Sequence, residues 1–368
     1  MSLDLLSTPP LLTADLPGTG GRIKQAPEDF EVEEIPAYQP SGEGGFLYLW
    51  VEKRDMGADY FVRQVARRLD LAVGDVGTAG LKDRHAITRQ MVSVPDRAAD
   101  RVDQLNGDGL RLLHVGRHGN KLRPGHLHGN RFRVLVRDVR PDAAARLPAL
   151  LDRLREHGLP NVYGPQRFGR DGETARLGLS LLRGEPPATA AGLRQPRASY
   201  KFLRKLALSA AQSVLFNRYL ARRMADGLFR RVLPGDVMAK RPFGGLFVAA
   251  ELAVEQARFD ARQTVTTGPI FGRKMFAAAG EAAVREAAVL EEAALAPAAF
   301  TGFGKLLQGT RRPNLVYLDD LAAALDTDGL RLTFTLPAGT YATVLLREIT
   351  KSPDLAAEED PEDRRQRS

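Results

Sequence analysis

The chain has 368 residues, a net charge of +8 and no cysteine. Its length exceeds what one core usually fills, so two domains are expected, one of them inserted in the other. The missing thiols exclude disulfides, thiolate metal sites, iron–sulfur clusters and a cysteine nucleophile. The excess charge is carried mostly by arginine, whose planar guanidinium suits phosphate and base stacking, and it points to a polyanionic partner. An arginine-rich surface with no particular partner gives the same composition.

The opening "MSLDLLSTPPLLTADLPGTGG" lacks basic residues ahead of its leucines and is broken by prolines, so it reads as neither a signal peptide nor an anchor. No apolar run approaches the roughly 20 residues that span a bilayer, and a soluble cytoplasmic protein is expected. Glu28 to Ile35 and Phe46 to Glu52 read as strands joined by the flexible "PAYQPSGEGG". Ala58 to Leu69 reads as a helix with Phe61, Val62, Val65, Ala66 and Leu69 on one face and Arg63, Arg67 and Arg68 on the other. "VGTAGLK" reads as a short buried strand and "TRQMVSVP" as a second one, closed by Pro95, which leaves Asp83 in their connection.

In "NRFRVLVRDV", Phe132, Val134 and Val136 alternate with Arg131, Arg133 and Arg137, the pattern of a half-buried strand with a basic face. "GLRLTFTLP" repeats the alternation, and Thr340 can then cap a helix carrying Arg347. Between these strand-rich ends, Lys201 to Arg223 is a long amphipathic helix and Ala277 to Ala299 is alanine-rich, so a mostly helical insertion is placed between Gly158 and Arg311. The expected division is 1–157 and 312–352 for the main domain and 158–311 for the insertion, with a charged, disordered tail at 353–368.

Three stretches carry chemistry. Asp83 stands between Lys82 and Arg84, cations that favour an ionised carboxylate suited to act as a nucleophile or a charge stabiliser. The plain alternative is a turn residue bonding its own backbone. His114, His118, His126 and His128 cluster without an acid or thiol among them, in a segment crowded by Arg111, Arg117, Lys121 and Arg123. It reads as a phosphate-touching or merely solvated loop rather than a metal site. "NVYGPQRFGRDG" sets Tyr163 and Phe168 beside Gln166, Arg167 and Arg170, planes and cations that can hold unpaired bases; a tight turn with two core aromatics fits as well. Its glycines lack dinucleotide or P-loop spacing.

"AGLKDRHAITRQ" closely resembles the signature of the TruD family of tRNA pseudouridine synthases. Further matches follow in the family's order: "KQAPEDFEVEEI", "RHGNKLRPGHLHGNRF", "NVYGPQRFG", "KLALSAAQSVLFNRYL", "TGPIFG" and "LPAGTYATVLLREI", from about Arg22 to Ile349. The resemblance implies an α+β fold: a pseudouridine-synthase-type catalytic domain with a mixed, mostly antiparallel sheet, plus a mostly helical α/β insertion domain. It implies isomerisation of a tRNA uridine, typically at position 13 in the D-stem, with Asp83 as the catalytic carboxylate. Arg347 resembles the guanidinium that holds that aspartate, Phe132 the aromatic that stacks on the target base, and Lys24 a further active-site residue of unassigned role.

Such a reaction oxidises nothing and releases no group, so no cofactor or metal is expected, and a monomer needing no protein partner is the family default. Lys121, Arg123, Arg133 and Arg137, with Tyr163, Gln166, Arg167, Phe168 and Arg170, are the expected RNA contacts. Two other readings stay open: a non-catalytic RNA-binding protein or chaperone of the same fold, and a glycosidase-like hydrolase pairing Asp83 with Glu33 or Glu34.

Overall fold

A computed structural model describes residues 6, 8–185, 197–242 and 244–352. The tail expected at 353–368 lies outside the described residues. In chain order the first elements are β1 (Phe30–Pro36), β2 (Phe46–Arg54), α1 (Ala58–Arg68), β3 (Gly77–Thr78), β4 (Ile87–Pro95), β5 (Leu110–His118), β6 (Leu127–Val136) and α2 (Ala143–His157). Then come β7 (Leu159–Pro160), α3 (Glu173–Arg183), α4 (Arg197–Ala225), β8 (Val237–Lys240), β9 (Leu246–Val248), α5 (Leu252–Asp260), β10 (Thr264–Ile270) and α6 (Gly280–Glu292). The chain closes with β11 (Thr310–Pro313), β12 (Leu315–Val316), β13 (Ala322–Asp326), β14 (Gly329–Pro337) and α7 (Ala342–Thr350).

Two compact units divide these elements. One comprises Leu16–Arg155, Leu318–Ala342 and the described residues from Ile349; the other comprises the described residues up to Asp15, Glu156–Tyr317 and Thr343–Glu348. The first is built on one sheet in the order β13-β14-β6-β1-β4-β2-β5, with β3 pairing beside β4. Only the β1–β4 pair is parallel; every other pair is antiparallel. Alternation sets the sheet's faces: Leu47, Leu49 and Val51 of β2 pack against Phe61, Val65 and Ala66 of α1, and Leu69 just after it, in one cluster. Arg67 and Arg68 end α1 where a cation complements the helix dipole.

The second unit is more helical. Its four-stranded sheet runs β11-β10-β8-β9, and β10 is buried at every position, as expected of a strand covered on both faces. α4 runs through its core with Leu208, Ala211, Leu215 and Phe216 inward. α3 crosses α4 at Gly178, where an added Cβ would lie 1.9 Å from the Ala207 carbonyl oxygen, so only glycine allows that approach. No helix among the described residues is long and apolar enough to cross a membrane.

Several segments differ from their sequence reading. The histidine-rich stretch is not a loop throughout, since β5 carries His114 and His118 and β6 begins before His128. Its exposure comes from an edge position: β5 pairs only with β2. Within the alanine-rich stretch, α6 stops at Glu292 and a 3₁₀ turn follows at Pro297–Phe300.

Candidate active site

In the first unit, Asp83 sits in the connection from β3 to β4, its side chain 49% exposed. The cation at its carboxylate is Lys24, whose Nζ donates to Oδ1 at 3.1 Å. Lys24 reaches it from ahead of β1 in a left-handed backbone conformation, φ 56°, a strained geometry that concentrates at functional sites. Its ammonium also lies 4.3 Å from the centre of the Phe30 ring.

Lys82, the sequence neighbour expected to serve that role, points elsewhere. Its ammonium is buried and donates to Glu34 Oε2 at 2.6 Å, with both side chains at most 4% exposed. The reason lies in β1, where Phe30, Val32 and Glu34 alternate inward and Glu34 therefore needs a buried counter-charge. Arg84 is half-buried, and the next residue, His85, meets Asp55 Oδ1 through Nδ1 at 2.9 Å.

The backbone of the Asp83 turn is held by a residue the motifs did not reveal. Lys53 is fully buried, and its Nζ donates to the Asp83 carbonyl at 2.7 Å and to the Met56 carbonyl at 2.5 Å. A signal did exist: Leu47, Leu49, Val51 and Lys53 share one phase of β2, which turns the lysine inward. Burial pushes the Lys53 ammonium down to about 8, with Asp83 opposing the shift and Lys82 adding to it. Its folded value lies below the unfolded one near 10.4, so between pH 8 and about 10.4 the unfolded chain binds the extra proton and stability rises with pH. Lys53→Met is expected to remove that rise, at most about 3 kcal/mol, as read by urea unfolding at the two ends of the window. An unchanged rise in the variant would assign the effect to another group.

Behind the Asp83–Lys24 pair lies an aromatic wall. The registers of β1, β6 and β14 align Val32, Phe132 and Phe334 across the sheet. Phe132 is 6% exposed, stacked on Phe334 at 5.2 Å with planes 18° apart and edge-on to Phe30 at 6.0 Å. One face of Phe132, the ring expected to stack on a base, is thus covered by Phe334. On the same sheet face, the buried side-chain oxygens of Thr88, Gln90 and Asn130 have no hydrogen-bond partner among the described residues. Sequence reasoning passed over Asn130, although it shares the inward phase of Phe132 and Val134.

The basic face of β6 is less free than its alternation suggested, because β1 sets acids opposite it. Glu31 pairs in register with Arg133 and Glu33 with Arg131, giving ion contacts of 3.8 and 3.4 Å. Such exposed pairs are weak enough to yield to phosphate. Arg137 is different: three of its bonds, 2.7 to 3.0 Å, reach the buried carboxylate of Asp29. Burial pushes the Asp29 carboxyl up, but Arg137 and the Ala26 amide more than offset this and hold it below its usual range.

This pairing predicts a structural role for Arg137. Arg137→Ala is expected to lower the melting temperature by roughly 3–6 °C at neutral pH. Asp29 has a depressed folded value, so the stability it contributes is present above the unfolded value near 3.9 and is lost as pH falls through the folded one. The gap between variant and wild type should therefore close in acid. Unmoved stability with a smaller salt dependence of RNA binding would instead make Arg137 a phosphate contact. Of the remaining expected contacts in this unit, Lys121 donates to the Gly74 carbonyl and Arg123 is exposed.

The other unit holds the "NVYGPQRFGRDG" residues and Arg347. Asn217 of α4 bonds both backbone groups of Tyr163, at 2.8 and 2.9 Å, and the Arg312 guanidinium covers the Tyr163 ring at 4.0 Å. Arg167 bonds Ser209 and Ser213 of α4, Phe168 packs on the core, Gln166 donates to Thr343 at 3.4 Å, and Arg170 is exposed. A cavity of about 120 Å³ lies here, lined by Pro9, Tyr163, Phe168, Asn217, Thr343 and Arg347 among others. Arg347 donates to the Pro9 carbonyl at 3.2 Å, and burial lowers its affinity for its proton. The structure therefore gives Asp83 its ion partner in Lys24 and Arg347 a hydrogen-bond partner in Pro9. Among the described residues no group of three or more His, Cys, Asp or Glu could hold a metal ion.

Comparisons with known proteins bear on this arrangement as a whole. The family model for tRNA pseudouridine synthase D (TruD) matches residues 9–194 and 197–349. The tRNA pseudouridine synthase D of Anaeromyxobacter dehalogenans strain 2CP-C is 46% identical over 95% of this chain and 99% of its own length. A Thermus thermophilus protein of the same name is 42% identical over 98% of this chain and 99% of its own. A solved structure from Methanosarcina mazei that carries the TruD name shares the fold, with a TM-score of 0.75 at 24% identity over 93% of this chain and 96% of that one. With a family model that matches nearly all of the described chain and relatives above 40% identity over almost their whole length, this protein belongs to the TruD family of tRNA pseudouridine synthases.

Proposed function

We propose that the chain isomerises a uridine of tRNA to pseudouridine, at position 13 of the D-stem, with Asp83 as the catalytic carboxylate. The observation that carries this reading is the state of Asp83: a carboxylate open to solvent, paired with Lys24 at 3.1 Å, on a backbone fixed by buried Lys53 at 2.7 Å. A positioned anion facing an open site is what chemistry at a ribose needs. The reaction breaks the bond from C1′ to N1, turns the bound uracil and joins C1′ to C5; C5 then gives up its proton and N1 takes one up, so that the product is an isomer of uridine.

Asp83 serves either by attacking C1′ or by taking the 2′ proton; Lys24 orients it through a charge-assisted bond. The target base leaves its helix, and the lost stacking is offset by protein contacts. Phe132, backed by Phe334, supports the wall against which the uracil is held. Arg123 and Arg133 meet phosphates, and residues 158–311 form the family's insertion, presenting Arg170 to the RNA. The enzyme works as a cytoplasmic monomer. Tritium release from a tRNA transcript carrying 5-labelled uridine tests the reaction. Release equal to one uridine per tRNA is expected, and no release with a panel of tRNAs would overturn the reading.

A further inference from the structure

We propose that Leu81 is the wedge that enters the tRNA stem and fills the place of the extruded uridine. The inference rests on the reading of the chain as a tRNA uridine isomerase. Leu81 is 80% exposed, more than any other large apolar side chain among the described residues. Water should drive such a side chain inward, and here the local structure prevents it. Burial alternates along the turn: Leu81 is exposed, Lys82 is buried on Glu34 at 2.6 Å, and Asp83 is exposed again.

The projection is also stiffly held. The Ala79 carbonyl accepts from the Gly125 amide at 2.8 Å before it, and Lys53 holds the Asp83 carbonyl at 2.7 Å after it. Two residues span at most about 7 Å, so the leucine stands within a base step or two of the carboxylate. Lys24 and Arg84 place cations beside it in the chain or across the site. An apolar tip on a rigid loop, next to a group that needs an unstacked nucleotide, has the form of side chains that insert between bases and part them.

The chemistry of the occupant follows: a double-stranded RNA segment in which one nucleotide leaves its stack. The test compares two tRNA substrates, the native stem and one with an abasic linker facing the target, so that the target is already unpaired. Leu81→Ala should lower kcat/KM on the native stem at least about tenfold, and within about twofold of wild type on the abasic substrate. Leu81→Met, which keeps an apolar side chain of similar volume, should restore most of the activity on the native stem. The melting temperature should not move, because so exposed a side chain holds nothing in place.

An equal loss on both substrates, or no loss on either, would overturn the wedge while leaving the isomerase reading intact. Wild-type protein that makes no pseudouridine on either substrate removes both.

Discussion

Asp83→Asn is expected to lower pseudouridine formation by at least about a thousandfold, a loss of roughly 4 kcal/mol in transition-state stabilisation. The substitution keeps the shape of the side chain and one carbonyl oxygen for Lys24, but removes the negative charge that the proposed mechanism uses. Little stability should go with it. Asp83 is half exposed, so its ion pair is weak, and Lys24 keeps its position over Phe30. RNA affinity should hold or rise slightly, because a negative charge would no longer repel phosphate. A drop of less than about tenfold with intact binding would place the chemistry on another residue.

The largest effect on stability is expected in the other unit. Arg223 and Asp236 are each about 1% exposed and joined by two bonds of 2.8 and 2.6 Å. The guanidinium also donates to the Tyr219 hydroxyl and to the Leu228 and Arg231 carbonyls, so its donors are spent. Arg223→Met leaves the buried Asp236 carboxylate without its counter-charge, a cost of about 3–5 kcal/mol. Hydrogen exchange of the α4 amides in mild urea reads this in the unit concerned. Because an apolar pair can replace a buried ion pair, Arg223→Met combined with Asp236→Leu should recover at least half of the loss. A single variant within about 1 kcal/mol of wild type would mean that water reaches the carboxylate.

Much of the fold was legible because both units are built on strong periodicity. The phase of "NRFRVLVRDV" gave the buried row Phe132, Val134 and Val136, and the amphipathic pattern of Lys201 to Arg223 gave a helix that lies within α4, with Ala207, Ala210 and Val214 buried and Leu206 left exposed. What a single strand cannot show is its neighbour's register. Glu31 and Glu33 stand opposite Arg133 and Arg131 only once β1 and β6 are paired, and that pairing turns an apparently bare basic face into a partly neutralised one.

The same limit governs the site. Lys82 looked like Asp83's partner because it is adjacent in sequence, yet adjacent residues point to opposite sides and Glu34 claims the inward one. The true partner, Lys24, is 59 residues away, and only the family resemblance singled it out. Lys53 could have been found from phase alone, as a lysine in the inward register of β2, had a buried lysine been taken as a sign of waiting carbonyls. Fragments such as "NVYGPQRFG" remained ambiguous for a physical reason: the same aromatic and arginine planes that suit RNA also suit the ring, guanidinium and α4 contacts that Tyr163 and Arg167 make here.

The central claim is that one clamped carboxylate rebuilds a tRNA uridine, and carbodiimide mapping of a tRNA incubated with the protein tests it most directly. Wild-type protein should create a single new reverse-transcription stop in the D-stem, and Asp83→Ala should create none. A stop that persists with the alanine variant, or none at all with wild type, would contradict it.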